Sequence, residues 1–209
     1  MPHVSRPAHD WRHPVHITMR AKPGAPPLRT QRTLKIVYGA LRELARRGEG
    51  KFRLNHFSVQ SNHVHLIAEA EDRESLWRGV QWLAARVARR VNALVDRKGS
   101  LWRDRYHRHD LASPRAVRNA LVYVLMNHRR HDVRARRPGA DGAPPLDPCA
   151  SAPWFAGWDP RAGPRVAQLQ KQIGPWGLTA SPVLRPETWL GAHAWRRGGL
   201  VRITELPRA

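Results

Sequence analysis

The segment Ser58-Val59-Gln60-Ser61-Asn62-His63-Val64-His65-Leu66-Ile67-Ala68-Glu69 constrains the fold more than any other. Two apolar runs flank a polar turn at Gln60 to Asn62, the pattern of a β-hairpin. Side chains alternate across a strand, so His63 and His65 share one face while Val64 and Leu66 take the other. Two pre-aligned imidazoles make a start on a divalent-metal site. The chain holds twelve His, however, and a second such pair stands at His107-Arg108-His109. The motif therefore gains weight only from what surrounds it.

Periodicity supplies the surroundings. Pro14 to Arg20 alternates β-branched residues and reads as a first strand. Thr30 is a plausible N-cap, and Leu34, Val37, Tyr38, Leu41 and Leu44 then recur at helical spacing as far as Arg47. Gly48 and Gly50 end that helix. Phe52 to Gln60 and His63 to Ala70 are the second and third strands. Ser75 to Arg97 is a second helix, with Leu76, Val80, Leu83, Val87, Val91 and Leu94 as its apolar stripe. Arg78, Arg86, Arg89 and Arg90 occupy its other face, and Gly99 breaks it. The second half of Leu101 to Leu111 reads as a fourth strand. Ser113-Pro114 is an N-cap with Pro at the first helical position, opening a third helix that runs to about Arg130.

The order β-α-β-β-α-β-α predicts an α+β protein. Its first six elements match the ferredoxin-like βαββαβ arrangement, a four-stranded antiparallel sheet with two helices on one face. The third helix then falls near the open face. Residues 1–132 form this domain, with residues 1–12 as a basic arm. Residues 133–153 are rich in Pro, Ala, Arg and Gly and read as a linker. Residues 154–209 form a Trp-rich basic extension in which Gln168 to Ile173 and Glu187 to Arg197 read as short helices.

Charge narrows the function. The chain carries 37 Lys and Arg against 16 Asp and Glu, a net charge of +21. A coding bias toward Arg does not account for the shortage of acids, so a polyanion, nucleic acid, is the expected partner. A single cysteine, Cys149, rules out an intrachain disulfide and a multi-Cys zinc site. No apolar run approaches the roughly 18 residues of a membrane span, and the N-terminus lacks an apolar signal core. A cytoplasmic, nucleoid-associated protein is the expectation, as a monomer or homodimer.

Tyr123 and Asn127 stand at i and i+4 on the third helix and so share a face. If that helix lies over the sheet face displaying His63 and His65, four polar groups converge. Two imidazoles and an amide oxygen can hold a divalent metal, leaving the phenol as a nucleophile. Such a metal keeps open positions and polarises a phosphodiester. A phenol, with its pKa of about 10, attacks once metal and nearby Arg favour the phenolate.

These residues resemble a known family. His63-Val64-His65 fits the His-hydrophobic-His motif of HUH endonucleases. Tyr123-Val124-Leu125-Met126-Asn127 resembles the Tyr-x-x-x-Asn helix of the single-tyrosine transposases. Trp102-Arg103-Asp104-Arg105-Tyr106 is similar to their aromatic-basic segment before the last strand. The resemblance spans roughly residues 13–132 and is strongest to the REP-associated tyrosine transposases. It implies Tyr123 as nucleophile, His63, His65 and Asn127 as ligands of Mg²⁺ or Mn²⁺, and cleavage of single-stranded hairpin DNA through a 5′-phosphotyrosine. The chain departs from the family at His128, where Pro is common.

Other residues read differently. Tyr38 lies on an apolar stripe and belongs to a core. Tyr106 lacks an Asn four residues on. His107 and His109 are expected to face phosphate or solvent. Arg103, Arg105, His107, Arg115 and Arg118 are the expected DNA contacts, with Arg6 and Arg12 from the arm. The alternative is a non-catalytic hairpin DNA- or RNA-binding protein on the same fold, against which the missing aromatic pair on the central strands counts.

Overall fold

The computed structural model describes residues 8–47, 51–131, 144–178 and 180–207. Strands β1 (Val15–Arg20), β2 (Phe52–Val59), β3 (His63–Ala70) and β4 (His107–Asp110) form one sheet. Its order is β2-β3-β1-β4, with every neighbouring pair antiparallel. Helices α1 (Gln31–Arg47) and α2 (Arg73–Leu94) join the strands, giving the ferredoxin-like order. Helix α3 (Pro114–Met126) follows β4, and α4 (His128–His131) follows it almost directly.

Local chemistry explains the boundaries. Thr30 Oγ1 accepts from the Thr33 amide at the start of α1. Asp72 accepts from Ser75 N and caps α2, so the helix begins before Ser75, and it ends at Leu94 rather than Arg97. Ser113 accepts from Ala116 N, and Pro114 spends no helical amide, so α3 starts sharply. The glycines expected to end α1, Gly48 and Gly50, lie outside the described residues, as does Arg6.

The sheet has two unlike faces. Val15, Ile17, Met19, Val64, Leu66 and Ala68 turn towards α1 and α2 and are buried. These two helices pack against each other, where Glu43 accepts from Arg86 Nε at 2.8 Å and from an Arg90 guanidinium nitrogen at 2.7 Å. The opposite face carries His16, Thr18, Arg20, His63, His65, Ile67 and Glu69, with α3 packed across its β2 and β3 side. A bulge at Asn55 shifts the register of β2. Leu54 before it and Phe57 after it therefore both face the core, which strict alternation would forbid.

Two expectations are corrected beyond β4. Of the stretch read as a linker, residues 144–153 are packed, while residues 133–143 lie outside the described residues. The amide of Val59 donates to Cys149 O and that of Ser151 to Phe57 O, so this segment pairs with the edge of β2. Asp147 is fully buried and bidentate to Arg29. A buried carboxylate needs such a partner, and an edge strand needs covering, and neither demand shows in Pro- and Ala-rich composition.

The tail likewise joins the core instead of standing apart. It contains α5 (Gly163–Ile173) and α6 (Trp189–Ala192). Leu190, Trp195, Val201 and Ile203 are buried in one cluster with α3. Glu69 accepts from Glu187 N, Thr188 N and Thr188 Oγ1, so the sheet holds Thr188, whose side chain caps α6 by accepting from Gly191 N. Arg129, fully buried, donates to the carbonyls of Ile203, Glu205 and Pro145. No helix among the described residues is long and apolar enough to cross a membrane.

Candidate active site

Cross-strand register builds the site. Thr18 on β1 pairs with His65 on one side and His107 on the other, so Ser58, His65, Thr18 and His107 form a row across all four strands. Arg20 pairs with His63 in the next row. An open cleft of about 510 Å³ lies above these rows, lined by Thr18, Arg20, His63, His65, Arg103, Asp104, Arg105, His107 and Tyr123. Five groups expected from the sequence line its wall together, namely His63, His65, Arg103, Arg105 and His107, and Tyr123 joins them from α3.

Ring contacts fix the centre. His63 and His65 have centroids 4.6 Å apart, and Tyr123 stands edge-on to His65 at 5.0 Å. His16 lies beneath, 5.2 Å from His65 and 5.5 Å from Tyr123. Burial, helped by the charge of His109, pushes the His16 imidazole down to about 4, so it is neutral at neutral pH.

The residues present fit a divalent ion. His63 Nδ1 lies 2.7 Å from Asn62 Oδ1, a partner that keeps the proton on Nδ1 and the lone pair on Nε2. His65 Nδ1 lies 3.1 Å from Thr18 Oγ1 and 3.2 Å from His16 Nε2, either of which accepts a hydrogen bond from Nδ1–H in the same way. Such outer hydrogen bonds orient metal-ligating imidazoles. Asn127 is fully buried, and its Oδ1 and Nδ2 have no hydrogen-bond partner among the described residues. A buried amide left so is expensive unless something engages it. Asn127 does not line the open cleft; it follows α3 as its C-terminal cap, one turn beyond Tyr123. No group of three or more His, Cys, Asp or Glu side chains among the described residues is arranged for a metal.

The basic residues divide. Arg103 and Arg105 are exposed on the segment held to the end of β1, where Arg103 N donates to Arg20 O and Lys22 N to Leu101 O. Arg115 is exposed in the first turn of α3 and does not line the cleft. Arg118 is a correction. It binds both carboxylate oxygens of Glu205 at 2.8 Å and the carbonyls of Gly199 and Leu200, so its guanidinium is committed to the tail. Arg12 is bidentate to Asp10, away from the cleft.

Burial removes two other potential nucleophiles, Tyr38 and Cys149. Tyr38 is enclosed in the core and donates to Pro148 O, and burial raises its phenol well above the usual range. Burial likewise pushes the Cys149 thiol up to about 12. Sequence reasoning missed Thr18, Arg20 and His16. Their signal was available in the alternation of β1, which puts positions 16, 18 and 20 on one face, but only the pairing register shows which histidines they meet.

Comparison with known proteins places the chain among transposases. The family model described as "Transposase IS200 like" matches residues 10–124, over half of the 209 residues, and the chain belongs to that family. Among solved structures, a REP-associated tyrosine transposase bound to a REP hairpin shares 18% identity, covering 63% of this chain and 74% of its own, with a TM-score of 0.47. The crystal structure of a candidate transposase from Deinococcus radiodurans R1 also shares 18% identity, covering 52% of this chain and 83% of its own, with a TM-score of 0.38. No curated protein matches the sequence.

Proposed function

We propose that this transposase is a metal-dependent single-stranded DNA endonuclease and strand transferase of the REP-associated type, with Tyr123 as its nucleophile. The observation that carries the reading is the placement of the Tyr123 ring 5.0 Å from His65, in an open cleft that also holds His63 and three arginines.

His63, His65 and Asn127 would hold Mg²⁺ or Mn²⁺. When bound there, the ion supplies Lewis-acid polarisation of the scissile phosphate. Thr18, His16 and Asn62 hold the imidazole protons on Nδ1, which leaves the Nε2 lone pairs of His63 and His65 as the ligating atoms. Arg20, Arg103 and Arg105 neutralise the backbone of the incoming strand. Tyr123 Oη attacks phosphorus, and its proton leaves to solvent. The bond from phosphorus to the 3′-oxygen breaks, and that oxygen takes up a proton and departs as a 3′-hydroxyl. The phosphodiester energy stays in the phosphotyrosine, so the released hydroxyl or another 3′-end can reverse the step and complete transfer.

The motif resemblance extends the proposal to a substrate that carries a hairpin beside the cleaved strand. Incubation of the protein with a hairpin-bearing single strand and Mg²⁺ or Mn²⁺ tests it. A denaturation-resistant adduct, mapped by mass spectrometry to the peptide containing Tyr123, is the expected result. Tight hairpin binding without any adduct, with either metal, would leave a non-catalytic binding protein as the correct reading.

A further inference from the structure

A second cleft, of about 630 Å³, opens where β4 runs into α3, lined by Trp11, Arg12, Pro114 and Trp189 among others. Trp11 is 62% exposed and Trp189 is 55% exposed. Two large indoles lining one cleft make a shared exposed apolar surface of the kind that marks a binding site. Both are held on anchored backbone. Trp11 rides a turn closed by His13 N to Asp10 O and Arg12 N to Asp10 Oδ1. Trp189 opens α6 directly after Thr188, whose amide and hydroxyl are bound by Glu69. The indoles are therefore presented in advance of any ligand, with little ordering left to do on binding.

The charge around them selects the occupant. The Arg197 guanidinium lies 5.0 Å over the Trp189 ring. The two acids lining the cleft, Asp10 and Glu187, are already paired with Arg12 and Arg53. A cleft of aromatic faces whose acids are neutralised, with the Arg197 guanidinium over one indole and a chain of net charge +21 around it, matches an unpaired nucleobase and its phosphate. Pro114 and Tyr123 are nine residues apart on α3, or about 13 Å at the helical rise. Stacked nucleotides advance about 3.4 Å each, so the cleft lies roughly four nucleotides from the reacting phosphate.

We infer that Trp11 and Trp189 form a base-stacking subsite that takes an unpaired nucleotide of the single strand, roughly four nucleotides from the phosphate bound at Tyr123. This rests on the reading of Tyr123 as a DNA-processing residue. The test is a binding measurement in which no chemistry occurs. Fluorescence anisotropy of a labelled hairpin-bearing single strand is measured with the full-length Tyr123→Phe protein and with Trp11→Ala and Trp189→Ala added to it. Each indole change should weaken binding roughly five- to 160-fold, the range of one stacked base. Melting temperatures should hold, because both rings are exposed. An abasic nucleotide stepped along the strand should weaken binding to the parent most near the fourth position, and cost little further once the indoles are gone. Indole variants that bind as the parent does, or abasic and indole losses that simply multiply, overturn the subsite while leaving the DNA reading in place. A parent that binds no DNA overturns both.

Discussion

The Tyr123 ring meets His65 edge-on, 5.0 Å between centroids and 84° between planes. A residue of α3 thereby reaches a residue of β3, and neither element alone contains a site. The approach depends on α3 lying across the open face of the sheet, opposite α1 and α2. His65 is in turn oriented by Thr18 and His16 of β1, so three elements set the geometry of one pair of rings.

Thr18→Val should weaken Mn²⁺ binding by about ten- to 100-fold, the usual cost of removing an outer partner of a metal-bound histidine. Thr18→Ser should restore most of it, since the hydroxyl is what His65 Nδ1 meets at 3.1 Å. Calorimetric titration of Mn²⁺ into each variant measures this without cleavage. A Val variant with the affinity of the natural protein would remove Thr18 from the account.

His63→Ala or His65→Ala should abolish cleavage, while His107→Ala and His109→Ala reduce it less. The first pair carries the oriented Nδ1 contacts, whereas His107 and His109 are exposed on the edge strand. Cleavage rates across one metal titration compare the four. Equal losses at the two pairs would mean that nothing distinguishes one His-x-His pair from the other.

Arg103→Ala with Arg105→Ala should weaken single-stranded DNA binding and lower the slope of log affinity against log salt by about one per lost phosphate contact. Arg86→Ala with Arg90→Ala should change it little, because those guanidiniums bind Glu43 on the far side of the sheet. Titrations at several salt concentrations separate the two faces, and a larger effect from the Arg86 and Arg90 pair would put DNA on the side away from Tyr123.

Much of this was legible in the sequence because period and capping are local. The alternation of His63 to Ala70 predicts both the strand and the shared face of its histidines, and Ser113-Pro114 predicts the start of α3 to the residue. What local pattern does not carry is pairing. Arg20 and Thr18 become site residues only through the register of β1 with β3. Asn55 looks like any polar strand residue until the bulge shows it to be the extra one. Arg118 looks like a phosphate ligand because its partner, Glu205, lies 87 residues away. Residues 144–153 are low in pattern yet buried, because Asp147 and the β2 edge satisfy each other's polar demands at long range.

The Arg118–Glu205 pair makes the fold sensitive to acid. Burial pushes the Glu205 carboxyl up, but the hydrogen bonds and charge of Arg118, joined by the amide and charge of Arg202, outweigh it and hold the carboxyl below its usual range. A depressed carboxylate contributes stability that is present above its unfolded value, about 4.3. That contribution is lost as pH falls through the lower folded value. Arg118→Ala should cost about 1–3 kcal/mol at neutral pH, the cost of leaving one partner of a partly buried charged pair unmatched. Its melting-temperature deficit should shrink as pH drops below about 4. A deficit that stays constant from neutral to acid pH would show that the pair contributes nothing through ionisation.

Tyr123 is the side chain proposed to bond covalently to DNA. The most direct measurement incubates a hairpin-bearing single strand, labelled at its 3′ end, with Mn²⁺ and either the natural protein or Tyr123→Phe, followed by a denaturing gel. The natural protein should give a labelled band at the mass of protein plus downstream fragment. The Phe variant should give none while binding the same oligonucleotide with similar affinity. A labelled adduct that survives in the Phe variant would contradict the account and move the nucleophile to another side chain.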